Sequence, residues 1–158
     1  MLTKLRRTFF DALSRRVFYG WVILPVTAIT MFGTSPGQSH LIGLFFEPLS
    51  RDLELSRTAI AVAYGAATLV AAFALPRMGV VIDRFGATSI LWITGLALGL
   101  ACILFSFSSN WLWVAAGFCC LRFLGQGSLM LASGNMVSHW FNRKRGFALG
   151  LMSLGFPL

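Results

Sequence analysis

Arg122 lies inside an apolar run that extends from Trp111 to about His139. A charge at the centre of a hydrocarbon layer costs roughly 2.5–3.5 kcal/mol or more, so such residues face a bundle interior or a water-filled path. Gln126 follows four residues on, on the same face of a helix, and Leu129 and Ser133 continue that face. A guanidinium so placed attracts an organic anion, or pairs with a carboxylate that carries a coupling proton. The alternative is an Arg122 nearer the membrane surface, or one paired for structure alone. In the first apolar run, Thr27, Thr30, Thr34 and Gln38 recur at three- and four-residue spacing. That stripe faces protein or water, and hydrogen bonding between helices explains it as well as cavity lining does. His40 follows Pro36 by four residues. It reads equally as a proton or substrate group and as a hydrogen-bonded structural histidine near one mouth. Tyr64 and Thr68 share a face of the next run, where packing with one hydrogen bond is the plainer reading, and Asn135 is similar.

Other chemistry is missing from the pattern. There is no placed Ser/His/Asp set, no Gly-rich phosphate loop followed by Lys-Ser/Thr and no cluster with metal-ligand spacing. The acids are Asp11, Glu47, Asp52, Glu54 and Asp83, all in the tail or in expected loops. The expectation is therefore a protein that is not an enzyme, not an ATP-driven pump and without a cofactor. Cys102, Cys119 and Cys120 fall in apolar runs; an odd number without CxxC spacing reads as packing. The net charge of +8 does not point to nucleic acid, because the basic residues sort by loop rather than by one face.

These side chains need long apolar elements to hold them. A hydrophobic fraction of 57% with 11% charged residues, and a mean hydropathy of +0.78, places the chain in a lipid bilayer. The reading is an all-α integral membrane fold with four complete spans and the start of a fifth. Residues 1–18 form a basic amphipathic cytoplasmic tail lying on an anionic leaflet. The spans are expected over about 19–46, 57–75, 87–107, 111–139 and, incomplete, 146–158. The first is too long to cross straight, so it must tilt or break, and Pro36 between Gly33 and Gly37 supplies the break. Residues 47–57 and 76–86 read as polar loops, and Ser56 as a helix N-cap. Ala63, Ala67 and Ala71, and Gly95 with Gly99, permit close helix approach. Trp21, Trp92, Trp111, Trp113 and Trp140 lie near span ends, as an interfacial belt requires.

Alternating loops divide the Lys and Arg residues unevenly. Ten fall on the side of the amino terminus, two (Arg51 and Arg57) on the other, and Arg122 lies between. The basic side is cytoplasmic, so the amino terminus is inside and the chain is a multi-pass plasma (inner) membrane protein.

Gly79-Val80-Val81-Ile82-Asp83-Arg84-Phe85-Gly86 resembles the signature between helices two and three of the major facilitator superfamily, with Gly79, Asp83, Arg84 and Gly86 matching. Ala87 and Thr88 stand where the family has a basic pair. Arg122-Phe-Leu-Gly-Gln-Gly resembles the Arg/Gly motif of that family's fourth helix. Trp140-Phe141-Asn142-Arg143-Lys144-Arg145, followed by Gly146 to Leu151, resembles the segment before helix five of monocarboxylate-porter and oxalate/formate-type members. Gly43-Leu44-Phe45-Phe46 resembles the end of their first helix.

The resemblance implies a twelve-span secondary transporter of which this sequence is the first third, with 19–158 a truncated amino-terminal bundle. It implies alternating access between two six-helix halves, so that the partners are the remaining half, the bilayer and a small organic anion, with a proton as the candidate coupling ion. Expected substrate-binding residues are Arg122, Gln126, Gln38, His40, Thr34 and Tyr64. A basic residue occurs near the place of His40 in the resembled porters and takes part in substrate or proton binding. Gly79, Asp83, Arg84 and Gly86, with Arg143, Lys144 and Arg145, are expected in conformational roles. The rival reading is a non-transporting remnant or a membrane assembly module; another small solute within the superfamily is also open.

Overall fold

In hydrocarbon every peptide group must find its hydrogen bond within the protein, which favours helices throughout. The computed structural model describes residues 19–156, and every regular element among them is helical. Helix α1 spans Gly20–Gly33, a 3-10 turn covers Ser35–Gly37, and α2 spans Ser39–Asp52. Helices α3 and α4 span Arg57–Phe85 and Ala87–Phe105. Helix α5 runs over Trp111–Trp140 and changes pitch on the way: Trp111–Leu121 is α, Arg122–Leu129 is π and Met130–Trp140 is α again. Helix α6, Arg145–Met152, leads to a last 3-10 turn at Ser153–Gly155. The basic tail of residues 1–18 lies outside the described residues.

Three of these helices, α3, α4 and α5, are long and apolar enough to cross a membrane. The expected first span is not one helix but two of 14 residues each, α1 and α2, so four continuous spans are not seen. At about 1.5 Å per residue each half is about 21 Å long, short of a roughly 30 Å core. The break falls at Pro36, but the second half does not stop at Phe46. It continues through Pro48 to Asp52, and only Leu53 to Ser56 link it to α3.

The second span also departs from the expected bounds. It is expected to end at Leu75, yet α3 continues for 29 residues with Pro76 inside. Proline removes one hydrogen bond, and an apolar medium offers the remaining backbone groups no better partner than their own helix. Residues 76–85 are therefore helix rather than loop. Gly86 ends it with φ of +84°, a conformation open to glycine. At the other end Ser56 accepts a hydrogen bond from the Ala59 amide, the N-cap its type predicts. Asn110 caps α5 in the same way through Trp113.

Helix α5 holds the assembly together. Val114 and Phe118, in its first part, pack with Ile42 of α2 and with Ile60, Ala63 and Ala67 of α3. Leu121 and Leu129, at the π segment, meet Leu98 of α4. Val137, near its end, joins Leu24 and Met31 of α1 and Ala148 and Met152 of α6. Outward-facing side chains are apolar as well, including Phe73 and Leu96, each more than 70% exposed, as a lipid-facing surface requires.

Candidate functional site

Two irregular stretches of backbone touch at the middle of this bundle. The 3-10 turn at Ser35–Gly37 lies against the π segment of α5. A Cβ on Gly37 would stand 2.5 Å from the Leu121 carbonyl oxygen and 2.8 Å from the Gln126 amide nitrogen. A Cβ on Gly125 would stand 3.1 Å from the Gly37 Cα. Only glycines allow this approach. Non-helical backbone at membrane depth is tolerated where protein or a cavity satisfies it, and π turns concentrate at functional places.

Arg122 opens the π segment and reaches across the contact. Its Nε donates to Thr68 Oγ1 at 3.1 Å, and its Nη1 donates to the Gly37 carbonyl at 3.3 Å and to Ser39 Oγ at 3.1 Å. The guanidinium carbon sits 4.9 Å from the centroid of the Tyr64 ring. The Tyr64 hydroxyl donates to Ser39 Oγ at 2.8 Å. One cation thus ties α5 to α3, to the 3-10 turn at the break and to the start of α2. All its partners are neutral. Among the described residues the ion pairs are those of Glu47 with Arg57 and with Arg51 (3.2 Å), and no carboxylate pairs with Arg122. A guanidinium has five N–H donors, and the two on Nη2 have no partner among the described residues.

The other expected site residues fall in four places. Tyr64 belongs to the Arg122 cluster. Thr34 and Gln38 are buried and bonded to each other, Gln38 Nε2 donating to Thr34 Oγ1 at 3.2 Å, while Thr34 Oγ1 donates to the Met31 carbonyl at 2.7 Å. Thr27 likewise bonds back to its own helix, so the buried members of the stripe have hydrogen-bond partners within α1 and the turn that follows it. Gln126 is half-buried, and its Oε1 is enclosed without a hydrogen-bond partner, as is Ser128 Oγ. His40 is exposed, with its ring 6.3 Å from that of Phe156 beyond α6, apart from the Arg122 cluster.

The motif residues gather at the ends. Asp83 and Arg84 are exposed on the last turn of α3. Asp83 lines a cleft of about 340 Å³ with Thr88, Asn135 and His139. Gly79 has open space where a Cβ would stand. Arg143, Lys144 and Arg145 are exposed between α5 and α6. The same end holds the ring contacts of Tyr19 with Trp140 (4.9 Å) and of Trp21 with Phe141 (6.0 Å).

Ser39 is the site member that periodicity missed; its signal was present but weak, since it only adjoins the polar stripe. Thr68, read from its spacing as sharing a face with Tyr64 and making one hydrogen bond, accepts from Arg122 Nε and so joins the cluster. The π segment has no pattern of its own beyond Gly125 and Gly127.

Comparison with known proteins covers nearly the same residues. The model of the Major Facilitator Superfamily matches residues 13–158. Monocarboxylate transporter 11 of Homo sapiens is 26% identical over 137 residues, which is 87% of this chain and 29% of that protein. Monocarboxylate transporter 3 of Rattus norvegicus is 28% identical over 150 residues, 89% of this chain and 28% of that protein. No solved structure matches. The chain thus spans less than a third of the length of these curated relatives. Long apolar helices, and a family match over most of the sequence, give one conclusion: the chain belongs to the major facilitator superfamily and is a multi-pass membrane protein.

Proposed function

We propose that this chain is the amino-terminal part of a secondary transporter that moves a small organic anion, such as a monocarboxylate, by alternating access. The carrying observation is Arg122. It holds a charge at membrane depth, bonded to neutral groups, with Nη2 unpartnered and no carboxylate beside it among the described residues. Arg122 stands eleven residues into α5, roughly 17 Å from its start at about 1.5 Å per residue, which is near mid-membrane. Sites of such folds lie at that depth between two halves. An arginine at that depth with no carboxylate partner among the described residues is suited to hold a solute's negative charge.

In this reading α1 and α2 cross the membrane together as one broken helix, and the amino terminus faces the cytoplasm of a plasma (inner) membrane. His40 lies on an exposed surface at the start of α2, where it would take up the coupling proton. The exposed Asp83-Arg84 turn and the Arg143–Arg145 cluster meet the remaining half on the cytoplasmic side. The two named relatives, both monocarboxylate transporters, support the choice of anion.

The test is uptake of radiolabelled propionate by the complete protein in liposomes. The expected result is saturable uptake that unlabelled monocarboxylates compete away and neutral amides of the same acids do not. Uptake of sugars or amines, with none of any carboxylate, would overturn the anion reading.

A further inference from the structure

We propose that Ser39 is a direct substrate contact, and that Tyr64 acts as the positioning residue that aims it. The inference rests on the anion reading of Arg122 given above.

The argument is an account of hydrogen-bond donors. Arg122 has already committed Nε to Thr68 and both Nη1 hydrogens to Gly37 and Ser39. An incoming carboxylate therefore cannot take the side-on, two-nitrogen grip that a free guanidinium offers. Only Nη2 remains, and it presents itself to one oxygen. The second oxygen needs another donor close by. Ser39 Oγ accepts from Arg122 Nη1 at 3.1 Å and from the Tyr64 hydroxyl at 2.8 Å. Its two lone pairs are thus occupied, and its own O–H has no partner among the described residues.

Ser39 is exposed, at the first turn of α2, beside the half-buried guanidinium. A carboxylate bridging Arg122 Nη2 and the Ser39 hydroxyl satisfies both oxygens with one cation and one neutral donor. That seat matches a single negative charge. A dianion would find one positive charge where it needs two. Tyr64 fixes the arrangement twice: its hydroxyl holds the Ser39 oxygen as an acceptor, and its ring lies under the guanidinium at 4.9 Å. Without the phenol, the Ser39 oxygen has a free lone pair and its proton is no longer forced toward the solute.

The experiment is propionate uptake kinetics of the complete protein in liposomes, for the wild type and for Ser39→Ala, Ser39→Thr, Tyr64→Phe and Arg122→Gln. Losing one hydrogen bond to a charged group should raise KM about 10-fold or more in Ser39→Ala, with kcat within about two-fold of wild type. Ser39→Thr keeps the hydroxyl and should restore KM. Tyr64→Phe should raise KM in the same direction by a smaller factor. Ser39→Ala should also narrow the preference for propionate over propionamide as a competitor. A role limited to helix packing would lower the amount of folded protein and leave both KM and that preference unchanged. If Arg122→Gln abolishes uptake while Ser39→Ala and Tyr64→Phe keep the wild-type KM, the Ser39 assignment is wrong and the anion reading stands. If the wild type moves no carboxylate, both fail together.

Discussion

Arg122 reaches three neutral acceptors on three other elements, and its Nη2 has no partner among the described residues. A lysine in its place would be a point charge on a flexible stem, unable to hold Thr68, Gly37 and Ser39 at once. Arg122→Lys should therefore keep some anion attraction but lose the geometry, with uptake lowered about 10-fold or more at a given substrate concentration; initial-rate uptake measures this. Wild-type rates in that variant would mean that charge alone suffices. Glu47 makes a useful contrast. It pairs with Arg51 and Arg57, but its partners' side chains are 78% and 73% exposed. Such pairs contribute about 0–1 kcal/mol. Glu47→Gln should leave the thermal midpoint of the purified protein within about two degrees of wild type, and a larger drop would show that the pair locks α2 to α3.

The break between α1 and α2 and the π segment of α5 depend on glycine at Gly37 and Gly125. Gly125→Ala places a methyl 3.1 Å from the Gly37 Cα and 3.2 Å from the Thr34 carbonyl oxygen, both backbone atoms that have little room to give. Overpacking of this kind costs about 1–3 kcal/mol. Gly95→Ala meets nothing within 4 Å and serves as the control. The expected result is a lowered melting midpoint in detergent for Gly125→Ala and an unchanged or raised one for Gly95→Ala. Equal midpoints would place the two helices farther apart than described. The sequence made part of this arrangement readable. Pro36 between two glycines marked the break, and Ser56 marked the start of α3, because both act locally on the backbone. The loop expected over 76–86 is helix instead. The break that Pro76 makes in the local hydrogen bonding lost to the demand of the bilayer that every peptide group stay bonded, and α3 runs on to Phe85. The π segment was not legible, since nothing in Arg122 to Leu129 has a π-turn period. Ser39 and the Gly37 carbonyl were illegible as partners of Arg122 because they lie 83 and 85 residues away in the chain.

The molecule as a whole has two unlike ends. One holds Arg84, His139 and the Arg143–Arg145 cluster; the other holds Glu47, Arg51 and Arg57. From the excess of Lys and Arg we propose that the first end is the cytoplasmic one. Cys102, Cys119 and Cys120 would first be replaced, and single cysteines introduced at Arg143 and Arg51. A membrane-impermeant maleimide applied to intact cells should label the Arg51→Cys variant and spare the Arg143→Cys variant. The reverse would invert the topology. The apolar outer surface and the family match fix membrane residence and superfamily, whereas the cargo is proposed from the Arg122 site. That claim is tested most directly by uptake of radiolabelled propionate into liposomes containing the complete protein, wild type against Arg122→Gln. The account predicts loss of about 100-fold or more in kcat/KM, as removal of an unpaired membrane-depth cation from an anion seat requires. Unchanged kcat/KM for propionate in the Gln variant would contradict it, and would leave Arg122 as a structural tie between α5, α3 and the helix break.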